Sequence, residues 1–325
     1  MTVHAVRGPA GSADQAARHL IGLATRAPSV HNTQPWLWRI DGDVIELYAD
    51  MSRRLVVEDP LGRNLVISCG AALHHLQVAA HAFGWATTVD RTPDADEPTM
   101  LARVRVTDAS AQADLPELST LLERRTDRRR FTSWPVPPQR LQHLAEVAGD
   151  WGHAVALVDE IPRIRTRLLV ETALAHQAAN TEAVAEQARW VDRGRGDGVP
   201  SQLVPTTSDT ALNNRFGTGL LHDGDVEVET TDGLIVLGAA TDDTGAWLRT
   251  GEALSALWLK ATEGNLSVIP LSQPVEVEQT RNTLRREILR GLLMPHLVVR
   301  VGWQAIGRGE LARSPRRPIG DVLIG

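Results

Sequence analysis

The stretch that decides the fold reads Ala27-Pro28-Ser29-Val30-His31-Asn32-Thr33-Gln34-Pro35-Trp36. Before it, apolar residues at helical spacing predict a helix over residues 13–26, which Pro28 ends. After it, residues 36–40 and 44–49 flank Asp-Gly and predict a β-hairpin. The residues that follow a helix ended by a proline have backbone groups that are not used in the helix. Together with short polar side chains, these groups can hydrogen-bond the edge of a ring. The alternative is an ordinary connection from helix to strand without a ligand.

Two long central helices are predicted, and they share a pattern. Apolar residues that step by four and three predict the first from Leu65 to Phe83, and the second is predicted at about 246–263. Gly70, Ala72, Leu73, Leu76 and Ala80 recur 181 positions later as Gly251, Ala253, Leu254, Leu257 and Ala261. We therefore predict an α+β protein of two unequal tandem halves, residues 1–115 and 116–325, that pack as an internal pseudo-dimer. Chance similarity between helices rich in glycine, alanine and leucine is the alternative.

Further elements are predicted in both halves, and the second half contains one long segment without periodicity. Strands are predicted at 85–89, 102–106, 234–237 and 296–301, and helices at 117–124, from about 138, at 163–190 and at 276–290. Residues 192–233 contain glycines and prolines without a sustained period. A segment of this length in a compact domain is usually disordered or functional, and we interpret it as a candidate lid.

Composition excludes several classes of protein. The net charge of −6 gives no overall attraction to nucleic acid or to anionic membranes. Cys69 is the single cysteine, which excludes an internal disulfide and a multi-cysteine metal site, and no metal site is predicted. No apolar run is long enough to span a membrane, so we expect a cytoplasmic protein. Lys260 is the single lysine, so an anion site has to be built from arginines.

The pattern APSxxNxQPW resembles the segment of the nitroreductase superfamily that wraps flavin mononucleotide (FMN) from the partner half. The His-Asn-Thr version within it resembles the Acg-type branch of mycobacterial nitroreductase-like proteins. The resemblance implies that Pro28, Ser29, Val30 and Asn32 approach the flavin. It also implies that Gln34 belongs to the binding segment and sets the start of the following strand.

The run Arg124-Arg125-Thr126-Asp127-Arg128, followed by Phe131, is similar to the superfamily segment RRSxR…F, whose cations and hydroxyl hold the ribityl phosphate. Several guanidinium forks and one hydroxyl can satisfy the oxygens of a phosphate. Threonine replaces the usual serine, and one additional residue precedes Phe131, which leaves the register beyond Arg128 open. A run of arginines on a solvated face is the alternative, and a nucleic-acid-binding module is disfavoured by the negative net charge.

Two further segments complete the resemblance. Arg316 and Arg317 lie in a basic tail bounded by prolines, which resembles the tail that closes over the same phosphate. Pro270, Leu271, Ser272 and Gln273 follow the second central helix, where the family places a strand and loop beside the flavin pyrimidine and N5. Family members often carry glutamate or glycine there, so the hydrogen bonding at N5 is open.

The APSxxNxQPW segment occurs only in the first half, and the arginine run occurs only in the second half. One composite site can therefore be complete, and its mirror image cannot. One FMN in a monomeric chain follows. The resemblance implies an NAD(P)H-dependent reductase that passes hydride through flavin N5 to a nitro or quinone-type acceptor, without a dedicated catalytic side chain. An FMN-sequestering or storage protein with a closed lid is the alternative. The electron acceptor, the choice between NADH and NADPH, and the role of His31 stay open.

Overall fold

The computed structural model describes residues 10–92, 94, 96–108, 114–194, 196–204, 231–304 and 311–325. The helices are α1 (Ala10–Ala24), α2 (Arg63–Ala82), α3 (Leu115–Glu123), α4 (Pro138–Gly149), α5 (Glu160–Ala178), α6 (Thr181–Ala188), α7 (Thr244–Glu263), α8 (Gln273–Glu276), α9 (Glu278–Thr283) and α10 (Ile319–Val322). The strands are β1 (Trp36–Asp41), β2 (Val44–Ala49), β3 (Trp85–Arg91), β4 (Met100–Asp108), β5 (His153–Ala156), β6 (Gly233–Ala239), β7 (Leu266–Leu271) and β8 (Met294–Trp303).

The strands form two antiparallel sheets with the same topology. The first has the order β1-β2-β4-β3 and the second the order β5-β6-β8-β7. In each sheet a 20-residue helix, α2 or α7, connects the second strand to the third in sequence. The predicted α+β fold with tandem halves is confirmed by this repeated arrangement.

The two central helices cross at a pair of glycines. A Cβ atom on Gly70 would lie 2.0 Å from the carbonyl oxygen of Leu248, and one on Gly251 would lie 2.0 Å from the carbonyl oxygen of Ile67. Both glycines and both carbonyl residues are related by the 181-residue offset. Equivalent residues touch each other in this way only where two copies are related by a two-fold axis, so a pseudo-two-fold axis passes through the crossing.

His74 and Ser255 form a second pair related by this offset, and they are hydrogen-bonded. The Nδ1 atoms of His74 and of His75 each lie 2.8 Å from Ser255 Oγ. His75 Nδ1 also lies 3.1 Å from the carbonyl oxygen of Ala71, which only accepts, so this nitrogen carries the proton. The Ser255 hydroxyl therefore donates to His74. Burial lowers the pKa of His74 to about 3, so this pair is neutral core structure.

Several predicted boundaries are corrected by the structure. The first helix begins at Ala10 and ends at Ala24 rather than spanning 13–26. The helical stretch 163–190 is two helices, because the side chain of Asn180 accepts hydrogen bonds from the backbone N–H groups of Glu182 and Ala183 and caps a new helix. The helix predicted at 276–290 consists of α8, α9 and a π-type turn. Most of the predicted lid, residues 195 and 205–230, lies outside the described residues.

Within the part of the chain that the structure describes, none of the helices combines the length and the apolar character needed to cross a membrane.

Candidate functional site

One cleft lies where the two halves meet, and both halves build it. The turn after α1 and the first turns of α2 form one wall. The second half contributes α7, the end of β7 and the arginine run. The lining residues are Pro28, Ser29, Val30, His31, Asn64, Ile67, Ser68, Thr126, Arg128, Leu254, Trp258, Ile269, Pro270, Leu271, Ser272, Gln273 and Leu297. Nine of the fifteen predicted site residues meet in this cleft, and they come from three segments that are distant in the sequence.

The turn after α1 has an unusual backbone. His31, Asn32 and Gln34 have φ angles of 46°, 54° and 50°. Residues with a Cβ atom adopt this left-handed region at a cost of about 1–3 kcal/mol each, so the surrounding structure has to hold them there. Val30 N–H donates to Ser68 Oγ at 3.1 Å, and Gln34 N–H donates to Ser29 Oγ at 3.0 Å. The turn is thereby fixed in one shape beside the cleft.

The side chains of Asn32 and Gln34 are absent from the cleft lining and clamp other segments to the turn. Asn32 Nδ2 donates to the carbonyl oxygen of Gly198 at 2.8 Å, and Gln34 Nε2 donates to that of Gly196 at 2.8 Å. Gln34 Oε1 accepts from the backbone N–H of Arg317 at 2.9 Å. The described start of the predicted lid and the C-terminal tail are therefore both docked on this turn.

His31 is paired with a buried carboxylate behind the cleft wall. Its Nε2 lies 3.2 Å from Glu58 Oε2, and both side chains are fully buried. Gln187 Nε2 donates to the other oxygen of Glu58. Glu186 accepts from the backbone N–H groups of Val56, Val57 and Glu58, which orders the loop that carries Glu58. A buried carboxylate needs such partners, because its solvation by water is lost.

A second cavity adjoins the cleft at Thr126, and we call it the arginine cavity. It is lined by Arg26, Leu122, Glu123, Arg124, Arg125, Thr126, Ala312, Arg313, Ser314 and Arg316. The guanidinium of Arg124 lies 4.8 Å from the centre of the Trp258 ring, which also lines the cleft. Three predicted phosphate ligands, Arg124, Arg125 and Arg316, are thus placed here rather than in the cleft, and Arg317 lines neither space.

Arg124 and Arg316, which we call the inner pair, have buried guanidinium atoms and carry like charges that repel. Burial, together with the charges of Arg316 and Arg26, lowers the pKa of Arg124 to about 9. Burial and Arg26 lower the pKa of Arg316 to about 10. Among the described residues, Nε and Nη1 of Arg124 and Nε of Arg316 are buried donors without an acceptor. An anion in the arginine cavity would relieve both the repulsion and the unused donors.

In the part of the chain that the structure describes, side chains fill the region that corresponds to the cleft in the other half. At the 181-residue offset, Ser272 and Trp258 correspond to Arg91 and Gln77. Arg91 makes a bidentate ion pair with the fully buried Glu252 at 2.7 and 2.8 Å, and Gln77 donates to the same carboxylate at 2.8 Å. These side chains occupy the equivalent of the cleft.

Five residues that could contact a ligand in the cleft or in the arginine cavity were not predicted from the sequence. Asn64 and Ser68 are polar residues one turn apart at the start of an apolar helix, which is a usable signal. Arg26, Arg313 and Trp258 carry no such signal, because their importance depends on proximity in three dimensions. Among the described residues, no group of three or more histidine, cysteine or acidic side chains could hold a metal ion.

Comparisons with known proteins find relatives over nearly the whole chain. A scan against models of protein families finds no match. The Mycobacterium tuberculosis protein named putative NAD(P)H nitroreductase Rv3131 is 36% identical over 313 residues, which cover 94% of this chain and 90% of that protein. The protein of the same organism named putative NAD(P)H nitroreductase acg is 29% identical over 326 residues, which cover 93% of each.

Solved structures give weaker likenesses. The FMN-dependent nitroreductase NfnB from Mycobacterium smegmatis in complex with NADPH has a TM-score of 0.43 and 16% identity, over 64% of this chain and 97% of that one. The Anabaena variabilis protein named putative nitroreductase has a TM-score of 0.44 and 10% identity, over 81% of this chain and 69% of that one.

Proposed function

This chain belongs to the family of NAD(P)H nitroreductase-like proteins that includes Rv3131 and acg, and we propose that it is an FMN-dependent reductase. It would take electrons from NAD(P)H and pass them to a small nitro or quinone-type acceptor. The observation that supports the proposal is that the two spaces share Thr126, because a largely apolar cleft suited to a ring adjoins a cationic cavity suited to a phosphate.

The cleft fits the ring end of FMN. Trp258, Leu254 and Ile269 supply apolar surface for a flat heterocycle. Gln273 Oε1 is buried and accepts no hydrogen bond from the described residues, so the cleft offers an acceptor for an N–H group of a ligand. The isoalloxazine ring has one such N–H group, in its pyrimidine portion. The chemistry of the donor set therefore suits a flavin.

The arginine cavity fits the phosphate end. The buried donors of Arg124 and Arg316 and the hydroxyl of Thr126 are the groups that bind phosphate in fork geometry. Arg128 lines the cleft itself, beside Thr126, and would face the ribityl chain or the ring. Since the mirror cleft is closed by Arg91 and Glu252, we expect one FMN per chain.

When bound, FMN supplies two-electron hydride chemistry that no side chain provides. The residues of this chain position the reactants and exclude water. The strained turn holds Ser29 and Val30 against the cleft, and Gln273 fixes one orientation of the ring. The pair of His31 and Glu58, with 3.2 Å between Nε2 and Oε2, supports this turn from behind the cleft wall.

A storage function is the second candidate. The hydrogen bonds from Asn32 and Gln34 to residues 196–198 favour it, because they fix the start of the predicted lid against the turn. In that case the protein would hold FMN and resist reduction by pyridine nucleotides. The residues that bind FMN would be the same in both functions.

One experiment separates these possibilities. The chain is purified, its flavin-to-protein ratio is measured, and bleaching of the flavin by NADPH is recorded anaerobically in a stopped-flow instrument. Bleaching within the usual catalytic range of about 1–10³ s⁻¹ supports the reductase, and retained FMN that does not bleach supports storage. Arg124→Met should lose FMN, whereas Arg105→Met, an exposed arginine paired with Asp43, should not. Absence of FMN after reconstitution would refute both functions.

A further inference from the structure

Two further arginines, Arg26 and Arg313, line the arginine cavity beside Arg124 and Arg316, and we call them the outer pair. Arg26 is partly buried at the end of α1, and Arg313 is exposed on the C-terminal segment. Among the described residues, neither guanidinium has an ion pair or hydrogen bond. Burial and the charge of Arg313 lower the pKa of Arg26, so the two are close enough to repel each other. Two adjacent cations without an acceptor are an unfavourable arrangement that an anion would relieve.

The charge in the cavity exceeds that of one phosphate. The lining contains five arginines, Arg26, Arg124, Arg125, Arg313 and Arg316, and Glu123 is its one acidic residue. A phosphate monoester carries about −1.5 to −2 at neutral pH. The inner pair, Arg124 and Arg316, already provides the buried donors that one phosphate needs. The outer pair is therefore available for a second anionic group.

We propose that the outer arginines, Arg26 and Arg313, bind the 2′-phosphate of NADPH and make the protein select NADPH over NADH. This inference rests on the proposed function, since it assumes that FMN occupies the inner pair and that a pyridine nucleotide is the reductant. NADPH differs from NADH by this one phosphate. Two guanidinium groups that line one cavity supply the positive charge and the hydrogen-bond donors that such a phosphate needs.

The test uses the FMN-loaded protein and a readout other than turnover. Binding of 2′,5′-ADP, 5′-AMP and inorganic phosphate is measured by isothermal titration calorimetry, after the FMN content of each sample has been determined. We expect 2′,5′-ADP to bind about tenfold or more tightly than 5′-AMP, because charge-assisted hydrogen bonds are the strong ones. The variant Arg26→Ala/Arg313→Ala should remove this difference while it retains FMN. NADPH and NADH should then bleach the flavin at similar rates.

A matched variant controls for loss of charge. Arg105→Ala/Arg165→Ala removes two exposed arginines that pair with Asp43 and Glu287 elsewhere, and it should bind 2′,5′-ADP like the parent. Equal affinities of the parent for 2′,5′-ADP and 5′-AMP would overturn the inference, as would an unchanged difference in the variant of the outer pair. If inorganic phosphate bound as tightly as 2′,5′-ADP, the assignment of this site to a nucleotide would be overturned. A parent that holds no FMN would refute the proposed function, and with it this inference.

Discussion

Replacement of Gly251 by alanine should separate the two halves at their crossing. The new Cβ would lie 2.0 Å from the Ile67 carbonyl oxygen and 2.8 Å from the Ala71 nitrogen, where ordinary contacts begin near 3.4 Å. The opposing atoms are backbone and cannot rotate away, so the helices must move apart by roughly 1.4 Å at that point. Overpacking of a core typically costs about 1–3 kcal/mol, and the rigid backbone places this variant at or above the upper end.

The free energy of unfolding from urea titration measures this effect, and the flavin-to-protein ratio reports on the cleft. Gly22→Ala is the matched control, because no atom lies within 4 Å of its Cβ position and alanine favours a helix by roughly 0.5–1 kcal/mol. Gly70→Ala should behave like Gly251→Ala. The double variant should cost less than the sum, since one separation of the helices relieves both contacts. If Gly251→Ala unfolds at the same urea concentration as the control, the crossing described above is wrong.

The remaining predictions concern the cofactor, the assembly and acidic pH. Arg128→Ala with Arg316→Ala should weaken FMN binding by several kcal/mol, because each charge-assisted hydrogen bond contributes about 1.5–3 kcal/mol, and a fluorescence titration with unchanged affinity would refute the placement of these two arginines around FMN. Light scattering should give a monomer of about 35 kDa with one FMN, and a dimer that loses flavin on dissociation would contradict the internal pseudo-dimer. Burial lowers the pKa of His296 from 6.5 to about 4, so its stabilising contribution is present above pH 6.5 and is lost as the pH falls towards 4. Burial raises the pKa of Asp59 from 3.8 to about 6, so its contribution has the opposite sign and grows as the pH falls below 6. Urea titrations from pH 7 to 4 should therefore show a steeper loss of stability in Asp59→Asn and a shallower loss in His296→Gln, each by up to about 3 kcal/mol, and parallel profiles would contradict both assignments.

The sequence was sufficient to predict the features that depend on periodicity. The four-and-three spacing predicted both central helices, and the 181-residue offset anticipated the contact of Gly70 with Gly251. The prediction of a single helix over 163–190 was wrong, because a local hydrogen bond starts a new helix within it. The apolar pattern continues past residue 180, and the break depends on the Asn180 side chain, which competes with the backbone for hydrogen bonds. Strand β5 has four residues at a sheet edge, too short to show an alternating pattern.

The part of the candidate site that is built from contiguous segments could be predicted from the sequence. The contiguous segments around Ser29, Thr126 and Ser272 could be compared with a family pattern, and the structure brings them to one cleft. The pairing of His31 with Glu58 joins residues that no spacing rule connects. Arg26 precedes the decisive stretch and has no distinguishing neighbours in the sequence. Its role depends on a C-terminal segment almost 300 residues away, which only folding brings near.

The hydrogen bond between His74 and Ser255 shows a difference between a chain with two tandem halves and a dimer of identical chains. In a symmetric dimer, a residue on the axis faces its own copy, so a donor meets an identical donor. A gene that encodes both halves in tandem allows the two axial positions to mutate independently. A histidine whose Nδ1 accepts can then face a hydroxyl that donates to it. In a dimer of identical chains, each substitution appears in both copies of the interface. In the tandem chain each position between the halves can change alone, so this interface can evolve like the core of a single protein.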